Sequence, residues 1–239
     1  MGTVIRRGSL ADQATEALMT YITENGLGDG DPLPATGELA ALFDVSVPVV
    51  REAVAGLAAI GLLKRQQGRE SVVSTPNASH LSRLLAFRVS NAAVDDESIQ
   101  QFREVVEVGS ARLAATNRDE SALAELDSAL HQLRAVKGDE ALHAADIAFH
   151  AALARASRND MFSLTLDALE PLLQRLRRRV WSGWVSSGGD LASIVEAHAV
   201  ILERVRAGDA DGAGKAMSDH LAQARHGLEN PAHNPAVSE

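Results

Sequence analysis

The sequence contains no cysteine, which excludes both disulfide bonds and thiolate metal sites. Aromatic residues make up only 3% of the chain, which favours closely packed helices over an aromatic-rich binding groove. No apolar run approaches the roughly 18 residues of a membrane-spanning helix, and the N-terminus lacks the apolar core of a signal peptide. With 239 residues, 46% hydrophobic and 23% charged, we expect a globular cytoplasmic protein of two domains, without a membrane partner.

The chain divides into two segments with different patterns. Residues 1–75 contain short elements separated by turn residues, whereas residues 79–229 form a nearly continuous helical pattern. The Pro/Asn/Ser-rich stretch 74–79 between them is typical of a linker. We therefore predict one domain over 1–75 and a second, an antiparallel all-α helical bundle, over 76–229. The tail 230–239 contains two Asn-Pro pairs, and we expect it to be disordered.

The first domain has the pattern of a winged helix-turn-helix. Two short helical stretches flank the three-residue connection 44–46, and two short β-type stretches flank a glycine turn. Pro48 lies in the first turn of the second of these helices, where its missing N–H has no cost. The predicted fold class is therefore mainly α. A generic small α+β domain is the alternative interpretation.

The charge of the chain has to be examined by segment. The formal net charge of −9 argues against a nucleic-acid partner, since phosphate binding needs local positive charge. Residues 46–69, however, hold four basic residues against one acid. These basic residues are Arg51, Lys64, Arg65 and Arg69. The positive charge thus lies on the helix and wing that would meet a duplex. We expect salt-sensitive binding, with two domains required on a palindromic site.

The second domain combines four metal-type side chains with inward helix faces. Asp146 and His150 are four residues apart and share one face, while His198 and His220 lie beside apolar positions of two later helices. Burying an unpaired carboxylate is costly, and a cation would compensate all four groups together. Three imidazoles and a carboxylate suit Zn²⁺, Ni²⁺, Mn²⁺ or Fe²⁺. A buried hydrogen bond between Asp146 and His150 remains the alternative to a metal site. His143 is a rival candidate, either as a replacement ligand or as a side chain that holds one of the ligands.

Both segments resemble a known family. The stretch "LPATGELAALFDVSVPVVREAVAGLAAIGLLKRQQGRESVV" (33–73) resembles the N-terminal domain of GntR-type bacterial transcription regulators. The stretches "FREVVEVGSARLAA" (102–115), "DIAFHAALARASRN" (146–159) and "EAHAVILERVRAGDADGAGKAMSDHL" (196–221) resemble the all-helical FCD-type effector domain of the FadR-like subgroup. The resemblance implies a homodimeric, operator-binding regulator, a repressor rather than an enzyme.

The resemblance also implies which residues meet DNA. The expected contacts are Ser46, Val49 and Arg51 in the recognition helix and Lys64, Arg65, Gln67, Gly68 and Arg69 in the wing. The family usually has arginine where this chain has Gly37 and Val47, so the operator sequence cannot be carried over from relatives. An ion pair with a nearby acid is the alternative for Arg51.

For the second domain, the resemblance implies a metal held by an Asp and three His at the matching positions Asp146, His150, His198 and His220. In similar domains a small carboxylate effector occupies open coordination positions of the metal. Arg103 and Glu107 match a recurring "R...E" pair and are expected to bind the effector; an intrahelical pair on a solvated face is the alternative. One arginine of "RLRRRV" (175–180) is a further candidate.

Two other functions use the same residues. In a direct metal sensor the ion itself is the signal. A metal-dependent hydrolase would need a general base and an open metal position, and Glu107 is the only obvious base in the absence of a His-Glu-x-x-His helix. The regulator is the preferred interpretation, and neither the effector nor the metal is identified by the sequence.

Overall fold

The computed structural model describes residues 9–66, 69–75, 78–91, 95–136 and 139–229. Within these residues the chain forms ten α-helices and one two-stranded sheet, which confirms the mainly α fold class. The elements are α1 (Leu10–Glu24), α2 (Thr36–Leu42), α3 (Val47–Ala59), β1 (Leu63–Lys64), β2 (Val72–Val73), α4 (Ala78–Asn91), α5 (Asp96–Asn117), α6 (Glu120–Ala135), α7 (Asp139–Ala156), α8 (Asp160–Ser186), α9 (Leu191–Ala207) and α10 (Ala210–Glu229). None of the described helices is long and apolar enough to cross a bilayer.

The chain splits into two compact units, Met1–Leu81 and Ser82–Glu239. The division falls six residues after the predicted boundary at 75, within α4. The start of α4 packs on the first unit, because the ring of His80 lies directly over Gly61. The predicted tail 230–239 and residues 76–77 of the predicted linker lie outside the described residues.

The first unit is a three-helix domain with a β-hairpin. Ser9 and Asp12 form a capping box at the start of α1, and α3 begins after Ser46 with a proline in its first turn. Gly61, at φ +83°, ends α3 in the left-handed conformation that glycine adopts without strain. Strands β1 and β2 pair antiparallel, with Leu63 opposite Val73. Both of these side chains are buried with apolar residues of the three helices, so helices and wing share one core.

The second unit is a bundle of α5 to α10. Four of these helices begin with a side-chain N-cap. Asp95 caps α5, Asp119 caps α6, Asn159 caps α8 and Asp190 caps α9. Helix α10 packs against α5, α8 and α9, and α7 packs against α5, α6 and α8. This packing surrounds one apolar core, in which Phe149, Leu176 and Ile201 are completely buried. Helices α5, α7, α8, α9 and α10 therefore converge on a common interior.

Candidate metal centre and nucleic-acid interface

Four buried side chains from three helices meet inside the bundle. Asp146 and His150 lie one turn apart on α7, His198 lies on α9 and His220 on α10. One ligand-type atom of each residue lies within 4.8 Å of those of the other three. His198 Nε2 lies 3.1 Å from Asp146 Oδ1 and 3.4 Å from His150 Nε2, and His150 Nε2 lies 3.7 Å from the same Asp146 oxygen. The structure thus brings together all four residues predicted as metal ligands.

The orientations of two rings direct their Nε2 atoms into this cluster. His198 Nδ1 lies 2.7 Å from the carbonyl oxygen of Ile194, which can only accept, so Nδ1 carries a proton and Nε2 is the nitrogen turned to the cluster. His150 turns its Nδ1 to the carboxylate of Glu107 and its Nε2 towards the cluster. A carbonyl or carboxylate on the far ring nitrogen is the arrangement found around metal-ligating histidines.

The spacing of the four groups suits a divalent transition metal. Bonds of about 2.1 Å place neighbouring ligand atoms about 3.0 Å apart in an octahedron and about 3.4 Å apart in a tetrahedron. The three separations among Asp146, His150 and His198 run from 3.1 to 3.7 Å. His220 Nδ1 is buried and has no hydrogen-bond partner within the described residues. The donor set, three imidazoles with one carboxylate, fits Zn²⁺, Ni²⁺, Mn²⁺ or Fe²⁺ better than Ca²⁺.

The protonation states in this cluster follow from the neighbouring charges. Burial by itself would raise the pKa of Asp146, but His150 and Arg177 hold that pKa well below its ordinary value. Burial and the neighbouring histidines hold the pKa of His220 well below 6.5. Burial would also lower the pKa of His150, but the two carboxylates that flank it raise it. An ionised Asp146 and a neutral His220 are the forms that bind metal.

Arg177 is a functional candidate that sequence reasoning left unidentified among four arginines. It is the buried member of "RLRRRV", whereas the other three arginines are exposed. Its Nε lies 3.3 Å from Asp146 Oδ2, and its Nη1 and Nη2 lie 3.6 Å and 3.8 Å from oxygens of Glu170 and Glu107. Neither Nε nor Nη1 has a hydrogen-bond partner among the described residues. Such a cation presents unused donors to a ligand.

Arg177 also lines a cavity next to the cluster. The cavity has about 360 Å³, its open mouth included, and is lined by Asp146, His220, Arg103 and Arg177 together with Gln223. Apolar side chains complete the wall, and they are Val180, Trp181, Trp184, Ile194 and Ala224. Buried Gln223 Oε1 has no hydrogen-bond partner within the described residues either. A few charged and polar groups among apolar side chains are typical of a small-ligand site.

Arg103 and Glu107 form the intrahelical pair of the alternative interpretation, but this pair is buried, so its expected place on a solvated face is wrong. Arg103 Nε donates to Glu107 Oε1 over 2.7 Å, and Arg103 Nη1 donates to Gln100 Oε1 over 3.2 Å. Arg103 lines the cavity, whereas Glu107 does not and contacts His150 instead. An effector contact stays a prediction for Arg103, and the geometry gives Glu107 a different neighbour, a predicted metal ligand.

The rival ligand His143 does not join the cluster. Its ring packs against Trp181, with ring centroids 4.7 Å apart, and it is not part of the group of ligand atoms found within the described residues. His143 lies three residues before Asp146 and thus about 60° round the helix from it. That offset is enough to direct the two side chains to different neighbours.

Comparisons with known proteins agree with this architecture. Residues 98–223 match the FCD domain, and residues 10–73 match the bacterial regulatory proteins of the gntR family. The chain is 32% identical over 201 residues to the HTH-type transcriptional regulator LutR of Bacillus subtilis. The matched region covers 83% of this chain and 92% of that protein. The chain belongs to the GntR family of bacterial regulatory proteins. It is therefore a DNA-binding transcription regulator and not an enzyme, so the hydrolase alternative is discarded.

Two further proteins are similar to this GntR regulator. It is 29% identical over 221 residues to the HTH-type transcriptional repressor NanR of Salmonella schwarzengrund, which covers 91% of this chain and 83% of that protein. The solved structure of Streptococcus agalactiae GntR has a TM-score of 0.71 at 23% identity and covers 90% of this chain and 98% of that chain. The latter similarity supports the fold alone.

The predicted DNA contacts lie on the surface of the winged unit. Ser46, just before the recognition helix α3, and Arg51 within it are exposed, and Val49 is half-buried. Within the described part of the chain Arg51 takes part in none of the ion pairs, so the alternative of a local ion pair has no support. The wing residues Lys64, Arg65 and Arg69 are exposed, and Gln67 and Gly68 lie outside the described residues. These basic side chains are free to approach phosphates.

Proposed function

We propose that this regulator is a homodimeric repressor whose operator binding is controlled by a small organic acid bound at a divalent metal in the FCD domain. It acts on DNA in the cytoplasm. The observation that carries the proposal is the buried group of Asp146, His150, His198 and His220, whose ligand atoms all lie within 4.8 Å of one another. Unpaired, these groups would be costly to bury, and a divalent cation compensates them together.

The residues beside the metal site suit an anionic effector. Arg177 keeps two donors without hydrogen bonds within the described structure, and Arg103 uses Nε and Nη1 internally, which leaves Nη2 for a ligand. With a divalent ion bound, these two arginines and the metal outweigh the buried carboxylates of Asp146 and Glu107. An anion is therefore attracted, and a carboxylate matches the planar guanidinium fork. The bound metal would supply Lewis-acidic positions for the same carboxylate.

The size and lining of the cavity limit the effector further. The cavity is small, because its 360 Å³ includes open solvent and only about 20 Å³ is free for the centre of a water-sized molecule. This excludes a long chain, and a bound acid requires the lining side chains to move apart. Trp181, Trp184 and Ile194 would cover an apolar portion of the ligand, while Gln223 offers a hydrogen bond to a further polar group. A short-chain carboxylic acid fits these requirements. The names of the relatives state no effector for this chain.

In the winged unit, the recognition helix would read the major groove through Arg51, Ser46 and Val49. The wing would be held on the duplex backbone by Lys64, Arg65, Gln67, Gly68 and Arg69. Two such units on two half-sites would multiply a modest affinity per unit. Control requires that the acid bind one arrangement of the two winged units better than another. The last two residues of the predicted linker 74–79 begin α4, the helix within which the two units divide, and this helix would be the connection through which the FCD domain acts.

The metal part of the proposal is tested by measuring bound metal in the purified protein. We expect about one ion per chain, and we expect the double substitution His198→Ala/His220→Ala to lose it, since half of the ligands are removed. The matched control is His131→Ala/His226→Ala, which removes two imidazoles outside the cluster. Stoichiometric metal in the first double variant would rule out the proposed ligand set.

The effector part is tested by thermal unfolding of metal-loaded protein with a panel of short-chain carboxylic acids. A ligand at 100 times its Kd stabilises the native state by about 2.7 kcal/mol, so a binding acid raises the melting temperature. Arg177→Met should abolish this shift, whereas Arg178→Met, which removes an exposed arginine paired with Glu140, should retain it. An equal response of both variants to the acid would exclude Arg177 from the site.

The direct metal sensor is distinguished by binding to an operator selected from random DNA. We expect metal-loaded protein to bind this DNA and the acid to change the affinity. If metal alone changed the affinity and no acid added to the change, the ion would be the signal.

A further inference from the structure

One helix contacts one proposed metal ligand and the residue that follows another, without contributing a ligand itself. On α5, the carboxylate of Glu107 forms an ion pair with His150 at the ring nitrogen that faces away from the cluster. One turn earlier Arg103 donates to Glu107, and Gln100 accepts from Arg103. Gln100 then donates its amide to the carbonyl oxygen of Leu221 on α10 over 3.1 Å. All of these α5 side chains are at most 2% exposed.

The chemistry of the partners fixes the orientation of the Gln100 side chain. Arg103 can only donate, so the Gln100 oxygen must face it. The Leu221 carbonyl can only accept, so the Gln100 nitrogen must face α10. A rotated amide would place donor against donor on one side and acceptor against acceptor on the other. The link from α5 to α10 is therefore directional, and its end lies one residue beyond His220.

We propose that Gln100, Arg103 and Glu107 form a continuous hydrogen-bonded chain that positions two metal ligands, His150 through its ring and His220 through the backbone at Leu221. The inference rests on the proposed metal function and adds positioning residues to it. This hydrogen-bonded chain contacts His150 at Nδ1, whereas the ring nitrogen that faces the cluster is Nε2. It also holds the α10 backbone at the residue that follows His220. Helix α5 thus holds ligands from two other helices, α7 and α10, at a common point.

Because the hydrogen-bonded chain is buried, each of its polar side chains needs a partner within it. A buried carboxylate is costly unless it is paired, and Glu107 is paired on both sides, with Arg103 and with His150. Arg103 in turn has its Nη1 satisfied by Gln100. Removal of Gln100 leaves the Arg103–Glu107 pair intact but releases α10 at Leu221. Substitution of Glu107 removes the charge that holds His150. The two ends of the chain can therefore be tested separately.

The test uses the full-length regulator with Co²⁺ as a spectroscopic probe of coordination. We would measure the Co²⁺ dissociation constant, the visible absorption spectrum of the complex and the melting temperature of the metal-free protein. Glu107→Gln should weaken Co²⁺ binding about 10- to 100-fold, the usual effect of losing a carboxylate behind a metal-binding histidine. Gln100→Met should also weaken binding and alter the spectrum, because His220 is no longer held by the bond at Leu221.

The matched control is Gln101→Met, one position along α5, where an exposed glutamine donates to Glu97. It should leave both affinity and spectrum unchanged. If Glu107→Gln or Gln100→Met bound Co²⁺ with the affinity and spectrum of the unmodified protein, the proposal would be wrong, however far the metal-free melting temperature fell. Should Glu107→Gln not fold, Gln100→Met decides alone. Absence of Co²⁺ binding by the unmodified protein would instead overturn the proposed metal function, and the positioning chain with it.

Discussion

The close approach of α10 to α8 makes Gly227 a sensitive position. A Cβ atom built on Gly227 would lie 3.0 Å from the carbonyl carbon of Val180 and 3.2 Å from the backbone nitrogen of Trp184, and nearer still to the Val180 oxygen. That oxygen would be overlapped by about 1 Å relative to an ordinary carbon–oxygen contact. Because the obstacle is backbone, Gly227→Ala can be accommodated only if the two helices move apart.

Gly214→Ala is the matched control on the same helix. Its Cβ would meet the side chain of Arg112, which is half-exposed and can move, although it would give up a surface ion pair with Asp211. Both substitutions gain about 1 kcal/mol of helix propensity, so their difference isolates the backbone clash. Overpacking of this kind costs about 1–3 kcal/mol, and we expect Gly227→Ala to be less stable than Gly214→Ala by that amount.

Urea unfolding followed by tryptophan fluorescence measures this difference, because both tryptophans, Trp181 and Trp184, lie on α8. The signal therefore reports on the helical unit and not on the winged unit. Metal affinity should fall in Gly227→Ala as well, since α10 carries His220. Equal unfolding midpoints for Gly227→Ala and Gly214→Ala would show that the helices part at no cost, and the account of the α8–α10 contact would be refuted.

Three further outcomes are expected. Arg51→Ala should weaken specific DNA binding by about 1–3 kcal/mol per site, measured by fluorescence anisotropy, while Arg155→Ala in the helical unit should not change it. Burial raises the pKa of Glu170 above 4.5, so the contribution of this carboxyl group to the stability of metal-free protein should be lost as the pH rises from about 4.5 through that raised pKa. Glu170→Gln should remove this loss in urea unfolding across that range, and an unchanged pH profile would contradict it. Phe149→Ala should cost about 3–5 kcal/mol in the same assay, because its ring is fully buried against His198.

The parts of the site that the sequence predicted share a helical spacing or a face. Asp146 and His150 are one turn apart, so local periodicity places them together before any tertiary structure is known. His198 and His220 were predicted from apolar neighbours on their own helices, and the structure brings both to the same point. The winged unit follows from turn residues in the same way, since Gly61 and the proline after Ser46 mark the ends of α3.

The parts that the sequence did not predict depend on contacts between helices. Arg177 follows Leu173 by four residues and precedes Val180 by three, so the apolar stripe of α8 was a signal that could have selected it from its neighbours. Nothing in the local pattern assigns Glu107 to His150 or Gln100 to Leu221. These contacts, an ion pair and a hydrogen bond, join residues 43 and 121 positions apart and depend on how the helices cross.

Arg177 links the two ligands of the proposed site, because its guanidinium lies 3.3 Å from Asp146 Oδ2 and also lines the cavity. An effector carboxylate that took the unused donors of Arg177 would draw that cation from Asp146, while a metal bound to Asp146 would free Arg177 for the effector. The two events therefore favour each other, and by linkage each must change the affinity of the other by the same factor. Titrations of metal with and without acid, and of acid with and without metal, should give equal ratios above one. A ratio of one would contradict this coupling through Arg177.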